Sequence, residues 1–274
     1  MQRRQLLRYG LYGLSATLLG CRPSEEPTSE LPAPRAAARA RSLSPEQPET
    51  VTPTDQRPAT SPAPRWAAER RDESLEALRR GEPRQRVRVI CRDALGLEEP
   101  ARDERRHELR LLTLHHTAAP LPDNRKAPER LRGHQAYHRA QGWPDIAYHY
   151  GVDQRGNVYE LRAVDRPGDT FTDYDPGGHF LVVCEGNYDQ QQPTDAMLAA
   201  TAEILAHGAA TYGLGADSLT GHRDHAATTC PGDALQSRLG ELRDEVARLI
   251  PRGAQRHDVC GQDATALVAA IEAG

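Results

Sequence analysis

The stretch "GHRDHAATTCPGD" (residues 221–233) sets His222 eight residues before Cys230, with small and polar residues between them. An imidazole and a thiolate are good zinc ligands, and the connecting residues can turn back so that both face one point. A third ligand must come from elsewhere. His115 and His116 close the apolar run "LRLLTLHH" (109–116), and either would complete a set of two imidazoles and one thiolate. Such a set leaves one tetrahedral position open. Adjacent strand residues point to opposite faces, so only one of the two histidines should reach the site. The same residues permit a second chemistry, with Cys230 as a thiol nucleophile and His222 as its base. That reading leaves the histidine pair without a task, and it predicts inhibition by alkylation but not by chelators. A disulfide is the third option. The five cysteines stand at 21, 91, 184, 230 and 260, and their number alone does not decide.

The elements that must position these residues begin near Val87. "VRVIC" (87–91) alternates and is β-branched, as strands do. "LRLLTLHH" and "FLVVCEG" (180–186) are dense apolar runs, consistent with buried strands. Pro128–Gln141 reads as a helix, with proline near its start and Leu131, Gln135 and His138 on one face. "IAYHYGVDQRGNVYEL" (146–161) is two alternating runs about Asp153–Gly156, a hairpin signal. Thr194 is suited to cap a helix running to Tyr212, and Leu235, Leu239, Leu242, Val246 and Leu249 mark a second amphipathic helix. The expected fold is a single α/β domain with a mixed central sheet flanked by helices. Residues 87–252 should form that domain, and residues 253–274 a polar C-terminal tail. Cys91 and Cys184 fall in predicted strands, and a bridge from Cys260 to either is compatible with the sequence.

The rest of the chain has a different texture. All eleven histidines lie at or after His107, whereas ten of the 21 prolines lie between Pro23 and Pro64, so chemistry and linker are segregated. Arg3, Arg4 and Arg8 precede the short apolar run Leu11–Leu19, too short to span a bilayer as a helix. The run ends in "TLLGC", which resembles a bacterial lipoprotein signal: residues 1–20 would be removed and Cys21 lipidated. "RRQLL" also resembles, more weakly, a twin-arginine signal. Arg22 follows the cysteine, which by resemblance to Gram-negative lipoproteins implies retention in the outer membrane, facing the periplasm. Residues 21–86 read as a Pro-rich disordered tether, with "WAAERRDESLEALRR" (66–80) able to form a short charged helix. The net charge of −4 gives no electrostatic reason to expect nucleic-acid binding. A monomer is expected.

Several motifs occur in order: "VICRDALG" (89–96), "LLTLHHTA" (111–118), "LRGHQAYHRAQGWPDIAYHYGVDQRGNVYELR" (131–162), "FLVVCEGNYD" (180–189) and "GHRDHAATTCPGD". Together they resemble the zinc-dependent N-acetylmuramoyl-L-alanine amidase type 2 domain, the family of the peptidoglycan recognition proteins and the phage T7-like lysozyme amidases. The resemblance covers roughly residues 88–250. It implies a peptidoglycan recognition protein-like fold, a zinc cofactor, and peptidoglycan or muropeptides as partners. It implies hydrolysis of the amide between N-acetylmuramic acid and L-alanine, or, as the alternative, binding of muropeptides without cutting. Carried over by motif, the metal ligands are His116, the histidine just before the threonine of "HHT", with His222 and Cys230. Tyr148 of "DIAYHY" matches the catalytic tyrosine. Thr228 stands where the phage enzymes have lysine, and it is the second catalytic candidate.

Zinc in such a set acts as a Lewis acid and lowers the pKa of its water to about 7. The oxyanion then needs a donor, which Tyr148 could supply with help from Thr228. For His134, His138 and His149 a structural role outweighs a place in the cleft. His225 reads as a loop residue, Asp145 as a turn or hydrogen-bonding residue, and Glu160 as a solvated or paired strand residue.

Overall fold

The structure is a computed structural model that describes residues 87–103 and 105–274. The predicted signal segment, Cys21, the tether and the charged segment at 66–80 lie outside the described residues. Strand β5 (His179–Cys184) is buried at every position, as expected of a strand covered on both faces. It pairs in parallel with β2 (Leu111–His116), and the register sets His115 beside Val183 and His116 beside Cys184. Strand β6 (Leu219–Gly221) extends β2 on its other side, also in parallel.

On the opposite flank of β5 lies β3 (Tyr150–Val152), which turns through Asp153–Asn157 into β4 (Val158–Glu160), the antiparallel hairpin that the sequence indicates. Gly156 sits in the turn at φ +79°, and a Cβ there would lie 2.7 Å from the Ala196 carbonyl oxygen, so both conformation and contact require glycine. The Asp153 carboxylate holds the turn, accepting from the backbone N–H of Arg155 and Asn157 and from the Tyr159 hydroxyl. Strand β1 (Val87–Ile90) pairs with β4 and, with the edge strand β7 (Arg256–Val259), completes the sheet order β6-β2-β5-β3-β4-β1-β7.

Two helical layers cover the sheet. Helix α1 (Ala127–Ala140) buries Leu131, Gln135 and His138, the face predicted from spacing. Helix α2 (Asp195–Tyr212) starts at Thr194, whose hydroxyl accepts from Met197 N–H at 3.1 Å. The second predicted helix is two pieces, the single turn α3 (Asp233–Gln236) and α4 (Leu239–Leu249). Helices α2 and α4 pack over Leu112, Leu114, Phe180, Val182 and Cys184 in the larger core. Val183, Leu131, Ile146 and Leu161 belong to a second core on the other face.

Residues 253–274 are not a tail. Arg256–Val259 forms β7, paired in parallel with β1 along its whole length. Helix α5 (Gly261–Ala273) follows and buries Ala264, Val268 and Ile271 in the second core. A disulfide joins Cys91 to Cys260, with the Cα atoms 5.0 Å apart. The apolar stripe of α5 does have helical spacing, but it is thin and alanine-rich. The charged residues of β7 suit an exposed sheet edge rather than a central strand, so neither segment announces itself in sequence. Among the described residues, no helix is long and apolar enough to cross a membrane.

Candidate metal centre

Three buried side chains converge at the C-terminal ends of β2 and β6: His115, His222 and Cys230, each offering one nitrogen or sulfur atom within 4.8 Å of the others. His115 is the next-to-last residue of β2, and its Nδ1 lies 3.6 Å from Cys230 Sγ. The His115 and His222 ring centroids are 4.7 Å apart. His222 opens a short 3₁₀ turn directly after β6. Cys230 returns on the following loop, which is closed by the bond from Arg223 N–H to the Cys230 carbonyl at 2.9 Å. Gly232 lets the loop pass close to its neighbour: its φ is +90°, and a Cβ would lie 2.5 Å from the Tyr188 backbone.

The structure corrects the assignment of His116. Its side chain is not in this cluster; Nδ1 accepts from Tyr188 N–H at 3.2 Å. Strand alternation is the reason. Leu112, Leu114 and His116 share the face that packs on α2 and α4, while Thr113 and His115 share the other. His116 still serves the site through its backbone, whose N–H donates to Cys230 Sγ at 3.4 Å.

Burial holds both cluster imidazoles neutral. It pushes the His115 pKa well below the ordinary histidine value, with His222 adding to the effect, and it pushes His222 down to about 4. Burial also raises the Cys230 thiol to about 12, against the pull of the His116 N–H and of Arg223. Tyr148 lies beside the cluster, its ring centroid 5.2 Å from that of His115. Burial, and next the negative charge of a Cys230 thiolate, push its hydroxyl pKa up, so it remains a proton donor. Thr228 is in the loop, where its hydroxyl accepts from Cys230 N–H at 3.2 Å and braces the Cys230 backbone.

The other sequence candidates have structural partners. Asp145 is buried against Arg92 and Gln135, and its carboxylate also accepts from the Ile146 N–H. His149 is buried between the Arg166 carbonyl and the Leu181 N–H. His134 meets the buried Glu185 carboxylate at 3.2 Å, which Arg130 also pairs at 2.7 Å. Glu160 lies 3.6 Å from Arg256. His225 bonds Thr220 at 2.8 Å, outside the cluster.

Sequence reading missed the β4–β5 connection. Thr172 Oγ1 lies 2.8 Å from His222 Nε2, and the Tyr174 ring centroid is 5.0 Å from that of His222. Two polar atoms near the cluster are buried without a partner, His115 Nε2 and the Tyr174 hydroxyl. Nothing periodic marks these loop residues, so only the fold brings them here. Exposed Tyr137 and Phe171, with Trp143, form an aromatic patch that reaches the cluster through His138 and Tyr148.

The family model described as N-acetylmuramoyl-L-alanine amidase matches residues 105–233. The N-acetylmuramoyl-L-alanine amidase of Sus scrofa is 36% identical over 154 residues, which cover 54% of this chain and 26% of that protein. The chain thus spans about a quarter of the length of that mammalian relative. Peptidoglycan-recognition protein SC1a/b of Drosophila simulans is 34% identical over 132 residues, 46% of this chain and 69% of that protein. Among solved structures, Drosophila peptidoglycan recognition protein SD aligns with a TM-score of 0.50 and 27% identity, over 54% of this chain and 90% of that one. With the mixed sheet and its helical layers, these similarities settle the fold and the lineage: the chain belongs to the family of the N-acetylmuramoyl-L-alanine amidases and peptidoglycan recognition proteins.

Proposed function

We propose that the protein is a zinc-dependent amidase that cleaves the amide between N-acetylmuramic acid and L-alanine of peptidoglycan. The convergence of His115, His222 and Cys230 beside Tyr148 carries this reading. The residues fit zinc. Two imidazoles and a thiol are a borderline-soft donor set, and tetrahedral bonds of about 2.0 Å to nitrogen and 2.3 Å to sulfur place those atoms about 3.5 Å apart. The His115 Nδ1 to Cys230 Sγ separation is 3.6 Å.

Bound by these residues, zinc would polarise the amide carbonyl and acidify water at its fourth position. His115 and His222 are neutral at pH 7 and offer lone pairs without first losing a proton. Cys230 must give up its proton, and the His116 N–H stabilises the resulting thiolate. A thiolate so engaged is a ligand rather than a nucleophile. Tyr148 keeps its proton and can donate to the carbonyl oxygen as that atom gains charge. Thr228 holds the Cys230 backbone.

The arrangement of residues 1–21 supports export and lipid attachment at Cys21 in the outer membrane, with the Pro-rich segment as the reach between lipid and wall. The test is digestion of defined muropeptides by the purified full chain, read by mass spectrometry alongside zinc content. Released stem peptides and about one zinc per chain are expected. Cys230→Ser should lose both. Tyr148→Phe should keep zinc and lose about 100-fold in turnover, as for loss of one oxyanion donor. Muropeptide binding without peptide release by the wild type would make the protein a binding module and overturn the amidase reading.

A further inference from the structure

His222 has two ring nitrogens, and only one can face a metal. Thr172 meets one of them. Its Oγ1 lies 2.8 Å from His222 Nε2 and 2.8 Å from Thr170 Oγ1. The Thr172 backbone N–H also donates to Thr170 Oγ1, at 3.1 Å. A hydroxyl has one proton and two lone pairs. Either hydroxyl of the Thr170–Thr172 pair can be the donor; where Thr172 gives its proton to Thr170, its oxygen accepts from Nε2–H of His222. The imidazole then carries its proton on Nε2 and its lone pair on Nδ1.

We infer that Thr172 is a positioning residue that holds His222 as the Nε2–H tautomer, with Nδ1 presented to the atoms shared with His115 and Cys230. The inference rests on the proposed zinc centre and deepens it. It extends the centre to the β4–β5 connection, a segment in which neither composition nor spacing pointed to function. The same connection flanks the ring with Tyr174, which is tied to Thr172 by its backbone N–H donating to the Thr172 carbonyl at 2.9 Å. The His222 ring is therefore held at its edge by Thr172 and packed on one side by Tyr174. A ligand whose far nitrogen is fixed binds metal in one orientation and is a stronger base, and loss of such a partner costs 10–100-fold in metal affinity.

The test uses the full chain. Zinc affinity is measured by competition with a chelator, and the cobalt(II) form is read by its visible absorption. Thr172→Val removes the hydroxyl at nearly constant shape. It should weaken zinc binding roughly 10–100-fold and alter the cobalt spectrum, with the folded circular dichroism signal retained. Thr172→Ala should do the same, and it serves if the valine variant does not fold. Thr172→Ser should recover most of the affinity, which a purely steric role would not produce. Thr170→Val should give a smaller loss in the same direction, because it removes the acceptor that orients the Thr172 proton. Tight wild-type binding that Thr172→Val and Thr172→Ala leave unchanged, with the same cobalt spectrum, overturns the inference. A wild type that takes up neither zinc nor cobalt overturns the metal centre itself, which is a distinguishable result.

Discussion

The two faces of the central sheet are built from the same strands and do opposite work. On one face, Leu112 and Leu114 of β2 and Phe180, Val182 and Cys184 of β5 meet Leu198, Ile204 and Leu205 of α2 in a dry apolar core. On the other, Thr113 bonds His179 at 2.8 Å and His115 joins His222 and Cys230, beside a second, smaller core in which Val183 of β5 meets Leu131 of α1 and residues of α5. The alternation of a β-strand lets one six-residue segment serve both. His115 and His116 are neighbours in sequence and similar in chemistry, yet one faces the cluster and the other braces the backbone on the core side. The apolar face supplies stability, and the polar face spends some of it on buried, partnerless atoms such as His115 Nε2.

Breaking this contrast should have its largest effect at the histidine pair. His115→Ala should weaken zinc binding by more than the roughly 100-fold ceiling typical of an orienting residue, because it removes a ligand. His116→Ala should keep zinc but cost about 1–3 kcal/mol of stability, because the Tyr188 N–H loses its acceptor in a buried place. Zinc titration and denaturant unfolding of the two variants give the answer, and the reverse pattern would restore His116 as the ligand.

On the dry face, Leu205→Ala should destabilise by about 2–5 kcal/mol through the cavity it leaves, with zinc affinity intact. Thermal unfolding with and without zinc separates the two effects. A fourth variant concerns the far edge of the sheet. Replacing Cys91 and Cys260 together by serine should cost roughly 2–4 kcal/mol, since the bridge spans 169 residues of sequence and restrains the unfolded chain. Little change in unfolding midpoint would show that β7 and α5 are held by packing alone.

The smallest effect per step is a pH slope. Burial holds folded His149 down to about 3 and His138 to about 4, whereas unfolded histidines titrate near 6.5. Between those values the unfolded chain binds protons that the folded chain refuses. Stability is therefore complete above about pH 6.5 and falls as the pH drops toward 4, by up to about 1.4 kcal/mol per unit for each histidine. His149 gives this a concrete cause: its Nδ1 accepts from the Leu181 N–H and cannot do so once protonated. Denaturant titrations at pH 7, 6 and 5 should show a shallower slope for His149→Gln, and an unchanged slope would rule His149 out as a source.

Much of this was readable in advance, and for physical reasons. Helix α2 declared itself by a capping threonine and a wide apolar stripe, and the β3–β4 hairpin by alternation around Asp153–Gly156. His222, Cys230 and Tyr148 carried strong local context. The choice between His115 and His116 did not, because a motif match can slip by one residue and a slip of one in a strand reverses the face. Strand β7 was hidden because edge strands carry charge, and α5 because alanine contributes little to an apolar pattern. Thr172 and Tyr174 were hidden because loop residues obey no period.

The sequence by itself determined which residue types this protein has to work with, where its apolar periods lie, and which lineage it belongs to. Those are properties of local composition and order. Tertiary structure alone decided that His115 faces the cluster, that Cys91 pairs with Cys260 while Cys230 stays outside any disulfide, and that a loop threonine reaches His222. Each depends on atoms brought together across 50 to 169 residues of chain, and such meetings are set by how the sheet and its layers pack, not by any segment alone.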